Sequence, residues 1–223
     1  MAQRLVIPAR EEADSEFQVT RPWWQFSVRF NVAVAQSIPI VRMHERESEG
    51  VMMRWGLVEK TPTGTLSLTG PSSVRSDALK SAEDLRRIWV SGQRGILPLA
   101  GFYLWQRAQA GHDQPFYVRL VNRPVFGVAA LWDRAEAGDE VVESCLLVTV
   151  AANPLLAEIS ATTGQMPAIL RPEDYHAWLA ASVSEAQELL QPFPHVGMVC
   201  HPVAPYVNHP QFDGPRLIRP ADR

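Results

Sequence analysis

The chain has 223 residues, 46% of them apolar and 20% charged, a balance that excludes a largely disordered chain and suffices for a core without staples. Two cysteines, Cys145 and Cys200, make no disulfide framework and match no zinc spacing, and no apolar run is long enough to span a membrane as a helix. The net charge of −3 does not by itself indicate a polyanion partner.

In chain order, the opening MAQRLVIPAREEADSE lacks a basic start followed by an apolar core, so no leader and a cytoplasmic protein are expected. Strand-like runs follow at 38–42 and 51–58, separated by a charged segment, 45–50, that reads as an exposed loop. Segment 60–70, rich in Thr and Gly, reads as a second exposed loop. Segment 81–89 opens Ser-Ala-Glu-Asp, a capping-box pattern, and reads as a helix. Strands are expected at 96–107, 115–121, 125–132 and 144–151, then a short helix at 153–159. A helix at 172–181 begins with Pro172 and carries Glu173 and Asp174 at its positive dipole end. A further helix at 184–190 precedes a last strand at 195–203. Strands and helices do not alternate regularly, which predicts an α+β fold, and no linker divides residues 1–223, which predicts one domain.

Charge is unevenly spread. Residues 61–130 carry 8 basic and 4 acidic residues, whereas residues 131–190 carry 2 and 10, a pattern compatible with a basic and an acidic side. Nineteen of the 21 basic residues are Arg, through codon bias or for planar phosphate and base contacts. Generic catalytic motifs are absent, and the histidines (44, 112, 176, 195, 201, 209) show no metal-ligand spacing, so neither metal nor cofactor is expected. Cys145 and Cys200 lie in apolar runs and read as buried, inert thiols. Trp23, Trp24, Trp55 and Trp105 are either core residues or stacking surfaces for bases.

Seven segments carry a resemblance. They are FNVAVAQSIPIVR (30–42), VMMRWGL (51–57), PSSVRSDAL (71–79), GILPLAGFYLW (95–105), the pair PFYVRL and PVFGVAALWD (115–133), the stretch from CLLVTVAANPLLAEIS to QMPAIL (145–170), and HPVAPYVNHPQFDGPRLI (201–218). In order and spacing they resemble the SOS-response-associated peptidase (SRAP) family. The resemblance implies a SRAP-type fold of β-rich mixed sheets, part of them a pseudo-barrel, with a few short helices. It also implies a DNA-damage function. Members of the family bind single-stranded DNA and join an N-terminal Cys to the aldehyde of an abasic site as a thiazolidine. An Asn, a Glu and a His of the family surround that reaction.

At each reactive position this chain departs from the family. Ala2 stands for the Cys, Ser73 for the Asn, Leu104 for the Glu of Gly-Phe-Tyr-Glu-Trp, and Thr163 for the His of His-Asp-Arg-Met-Pro. Ring formation needs amine and thiol on one residue, so neither Cys145 nor Cys200 replaces the missing group. The expectation is a protein that keeps the scaffold, binds single-stranded or abasic DNA and has lost the cross-linking reaction. Arg4, Arg75 and Trp55 keep family residues and are the expected DNA contacts, while Arg86, Arg87 and Arg94 lie near the family's basic stretch without a clean match. For Arg75 an ion pair with Asp77 is the alternative. Two other functions stay open: imine chemistry of the Ala2 amine with abasic aldehydes, and a structural or regulatory protein that does not touch DNA.

Overall fold

The computed structural model describes residues 4–81, 83–108, 113–159 and 163–221. In chain order it contains β1 (Arg4–Ile7), α1 (Arg10–Glu16), β2 (Arg21–Pro22), β3 (Arg29–Ala33), β4 (Ser37–His44), β5 (Glu47–Trp55), β6 (Glu59–Lys60), β7 (Leu66–Ser67) and β8 (Ser73–Arg75). There follow α2 (Glu83–Val90), β9 (Arg94–Leu99), β10 (Gly101–Gln106), β11 (Gln114–Leu120), β12 (Phe126–Ala137) and β13 (Glu140–Ala151). The chain closes with α3 (Pro154–Ile159), β14 (Gln165–Pro167), β15 (Ile169–Leu170), α4 (Tyr175–Ala180), α5 (Val183–Glu188) and β16 (Met198–Pro202), linked by short 3-10 turns. The expected α+β class, with mixed sheets, a barrel-like part and short helices, holds.

Two sheets dominate. One runs β14-β13-β12-β9-β4-β5-β2, with β8 and β15 attached, and the other runs β16-β11-β10-β1-β3. Most pairings are antiparallel, but β5 and β8 both run parallel beside β13. The apolar runs VAAL of β12 and CLLVTV of β13 are fully buried, as expected of strands covered on both faces. One apolar cluster extends from Leu5 and Phe102 in the smaller sheet to Leu147 and Val148 in the larger.

The expected strand 96–107 is two strands. At Ala100 and Gly101 the chain leaves the larger sheet and enters the smaller one. Gly101 is required there because the Tyr117 ring lies on it, and an added Cβ would come within 2.4 Å of that ring. This crossing sets Leu104 in β10, beside β1, rather than in the larger sheet. The expected strand at 195–203 begins as a 3-10 turn, His195–Gly197, and becomes a strand only at Met198.

Segment 45–50 is not a loop. Only Glu45 and Arg46 form the hairpin turn, both at positive φ (48° and 72°), and Glu47 onward is β5. Glu49 is buried because Arg42 neutralises it at 2.7 Å, reaches Glu143 at 2.7 Å, and lies 4.8 Å over the Trp132 ring. Segment 60–70 stays mostly exposed, folded back as the ribbon of β6 and β7.

The expected helices form, but the one at 172–181 opens as a 3-10 turn, Pro172–Asp174, and is an α-helix only over Tyr175–Ala180. In α5, Ser182 accepts the Glu185 amide at 3.4 Å while the Glu185 carboxylate accepts the Ser182 amide at 2.9 Å. Ala82, inside the other expected capping pattern, lies outside the described residues. Sequence patterning gave no sign of α1, an acidic helix that buries only Ala13.

Candidate functional site

β13 is flanked by β8, which carries Ser73 and Arg75, and by β14, which Thr163 precedes. In parallel register β8 sets Ser73 beside Leu147 and Arg75 beside Thr149. On the other edge of β13, antiparallel β14 sets Pro167 beside the same Thr149 and Gln165 beside Ala151. Thr149 Oγ1 lies 3.2 Å from both the Val74 carbonyl and Gln165 Oε1, and its single hydrogen is donated toward one edge or the other. Thr163 is exposed just ahead of β14, followed by Gly164 at φ 58°, whose carbonyl accepts the Ala152 amide at 2.9 Å. Sequence reasoning did not single out Thr149 or Gln165, whose joint position depends on the register of three strands.

Leu104 lies on the smaller sheet, opposite Phe116 and one residue beyond Tyr103, the register partner of Arg4. It is 1% exposed and belongs to the main apolar cluster. Beyond it, Gln106 Nε2 donates to the Glu158 carbonyl of α3 at 3.4 Å. Arg4 is half-buried, and burial lowers its guanidinium from its ordinary pKa. Ala2 lies outside the described residues. The described positions therefore offer two neutral hydroxyls and an alkyl chain, none of which transfers a proton near neutral pH.

Arg75 is exposed and held by Asp77 in a two-pronged pair, Nε at 2.9 Å and Nη2 at 2.5 Å from its carboxylate oxygens. Each partner favours the charge of the other: hydrogen bonding to Asp77 raises Arg75, and hydrogen bonding to Arg75 lowers Asp77. An ion pair this open to water is weak, so a phosphate can take the place of Asp77.

Trp55 was expected to contact DNA, and the structure gives it no exposed face. It is 0% exposed, and its Nε1 donates to the Ser72 carbonyl at 3.0 Å, so it supports the strand that carries Ser73. A Trp-Gly pair in a strand run reads equally well as a ring for stacking or as core, and only the overlying segment decides between them. Trp24 is likewise buried, its Nε1 donating to Asp14 at 2.9 Å. Trp23 is exposed under the Arg21 guanidinium, and Trp105 is half-buried with Nε1 donating to Asn208 Oδ1 at 2.8 Å.

Arg94 is buried too. Its Nε donates to the Trp178 carbonyl at 2.5 Å, its Nη2 to the Ala181 carbonyl, and it lies 5.8 Å from both the Trp89 and Trp178 rings. It caps the end of α4 and offers nothing to a phosphate. Arg87 of the basic segment pairs with Asp133 of the acidic one, which partly cancels the expected separation of charge.

Burial raises the Cys145 thiol far above its ordinary pKa, and burial followed by the Glu158 charge raises Cys200, so both favour the unreactive thiol. Among the described residues no group of three or more His, Cys, Asp or Glu could hold a metal ion. Among the same residues no helix is long and apolar enough to cross a membrane.

Comparison with known proteins agrees with the fold. The chain is 26% identical over 201 residues to the abasic site processing protein YoqW of Bacillus subtilis, covering 88% of each. It is 26% identical over 248 residues to the abasic site processing protein HMCES of Mus musculus, covering 90% of this chain and 68% of that one. A crystal structure of a protein from Bacteroides thetaiotaomicron superposes with a TM-score of 0.81 at 22% identity, covering 98% of this chain and 99% of that one. The family model described as SOS response associated peptidase (SRAP) matches residues 1–210, and the chain belongs to that family.

Proposed function

We propose that this chain binds single-stranded DNA, abasic strands included, without forming the covalent link between Cys and DNA that its family resemblance implies. The observation that carries this reading is Leu104, an alkyl chain 1% exposed in the apolar core at the position of the family's Glu. A positioned acid–base group contributes about 10²–10⁴-fold to a proton-transfer step, and leucine supplies none of it. Ser73 and Thr163 add only neutral hydroxyls, and Ala2 brings an amine without a thiol. Binding needs less than reaction. Arg4 and Arg75 supply guanidinium groups for phosphates, contacts that position a strand without reading its sequence. The names of YoqW and HMCES support abasic DNA as the ligand class.

The test exposes the protein to intact and abasic single strands at graded salt, then runs native and denaturing gels. The expected outcome is weak, sequence-independent binding, each phosphate contact adding about 0.7 to the slope of log affinity against log salt, with no adduct surviving denaturation. An adduct seen only with borohydride, and abolished by N-terminal acetylation, would instead assign imine chemistry to the terminal amine. In that reaction the amine nitrogen adds to the aldehyde carbon, water leaves, and borohydride delivers hydride to the C=N bond. A fast adduct without borohydride from Ala2→Cys would show a pocket still competent for the family's reaction. Absence of binding at low salt would leave a structural or regulatory protein.

A further inference from the structure

The C-terminal turns present rings to solvent. On and between the 3-10 turns Pro205–Asn208 and Pro215–Ile218, Tyr206 is 61% and Phe212 45% exposed, and His209 is exposed beside them. The three rings touch. Phe212 lies 5.8 Å from Tyr206 at 77° and 5.9 Å from His209 at 86°, so it stands edge-on to both. A hollow of about 470 Å³ opens there, lined by Tyr206, Phe212, Pro215 and Leu217, with Asp213 and Arg216 also in its wall.

This segment is pinned rather than loose. The buried Asn31 of β3 donates Nδ2 to the His209 carbonyl at 3.1 Å and to the Phe212 carbonyl at 2.9 Å. Asp213 accepts the Phe30 amide at 2.6 Å and pairs with Arg29. Val207 and Leu217 are buried beneath the turns. Rings held this way bind without the entropy cost of ordering a loop.

Charge and position indicate the occupant. Arg29 already neutralises Asp213, whereas among the described residues Arg216 in the wall of the hollow has no ion-pair partner, so the charge left beside the rings is cationic. Exposed rings beside an arginine without an ion-pair partner suit a strand of unpaired nucleotides, whose bases stack while a phosphate meets the guanidinium group. The Trp105 bond to Asn208 ties this segment to the face of β10 opposite Leu104, and β3 joins it to β1, where Arg4 lies. We infer that Tyr206, His209 and Phe212 form a base-stacking platform, with Arg216 as its phosphate contact, that extends the single-stranded DNA site. This inference rests on the DNA-binding function proposed above.

The experiment titrates the whole protein with a fluorescent thymidine 15-mer and with a 15-mer of base-less spacers that keeps the phosphates. Wild type should prefer the thymidine strand. The double variant Tyr206→Ala, Phe212→Ala should lose about tenfold or more on thymidine, little on the spacer strand, and none of its salt slope. Tyr206→Phe with Phe212→Tyr, which keeps both rings, should retain the preference, and Arg216→Ala should lower the salt slope by about 0.7. Both aromatic positions are exposed, so these variants should fold, and a thermal melt checks that they do. A double variant that binds thymidine like wild type, or loses equally on both strands, would overturn the platform and leave DNA binding intact. A wild type that binds neither strand at low salt would overturn DNA binding and the platform with it. Capture of a proline-rich peptide by these rings in that case would assign the hollow to a peptide.

Discussion

Trp55 and Arg75 both end strands that run parallel beside β13, yet their surroundings are opposite. The Trp55 ring is closed off from water and bonded to the backbone of Ser72. The Arg75 guanidinium stands in solvent and, among the described residues, pairs only with Asp77 two residues on. Both residues match the family's motifs, but one is sealed beneath the strand that carries Ser73 and the other is open to solvent. Retention of a family residue therefore does not separate a scaffold residue from one a ligand can reach. Burial does, and it separates them on neighbouring strands.

The sharpest way to break this contrast is Trp55→Ala. Emptying a fully buried indole should cost about 3–5 kcal/mol, measured as a shift of the urea midpoint. Trp55→Phe keeps a ring and removes the indole donor, while the Ser72 carbonyl still accepts the Leu147 amide at 3.0 Å, so it should cost about 0.5–1.5 kcal/mol and leave the salt dependence of DNA binding unchanged. A Trp55→Phe variant that folds normally but loses DNA affinity would give the ring a direct role in binding.

Leu104→Glu probes the same division at the position of the missing acid. A carboxyl placed in that apolar cluster should destabilise the protein by about 3 kcal/mol or more at pH 7. Burial would raise its folded-state pKa above the unfolded value near 4.3, so the neutral form is the tolerated one. The loss should therefore shrink as pH falls below that range and grow as pH rises through the folded value. A variant as stable as wild type at pH 7 would reveal a polar, accessible pocket at this position.

Arg75→Ala should leave the urea midpoint essentially unchanged, because both members of the ion pair are largely exposed. Its effect belongs to binding: weaker affinity for every single strand and a salt slope lower by about 0.7. Asp77→Asn removes the competing carboxylate and should tighten single-strand binding by about 1.5–5-fold. Arg75 lowers the Asp77 pKa in the folded state. The contribution of this pair to stability is thus present above the unfolded carboxylate value and lost as pH falls through the folded one. Protonation there also releases Arg75, so acid should tighten DNA binding in wild type and not in Asp77→Asn. Titrations at matched ionic strength check this smallest effect.

A thiol measurement closes the set. Iodoacetamide should leave Cys145 unmodified in the folded protein and label it in urea, because burial both shields the sulfur and disfavours the thiolate. Labelling under native conditions would reveal local opening of β13.

Local pattern was enough for much of this molecule. Apolar runs marked β4, the later part of β5, and the strands from β9 to β13, because periodicity acts within a few residues. The identities Ala2, Ser73, Leu104 and Thr163 were fixed by the sequence outright, and with them the absence of a thiol, a carboxylate and an imidazole at those positions. Long-range contact decided the rest. An apolar run continuous from 96 to 107 does not show that Tyr117 will lie on Gly101 and divide it between two sheets. A charged stretch such as 45–50 does not show that Arg42 and Glu143, distant in the chain, will neutralise Glu49 inside it. Whether Trp55 is floor or Tyr206 is face depends on which backbone comes to cover a ring, and that is settled only when the sheets have packed.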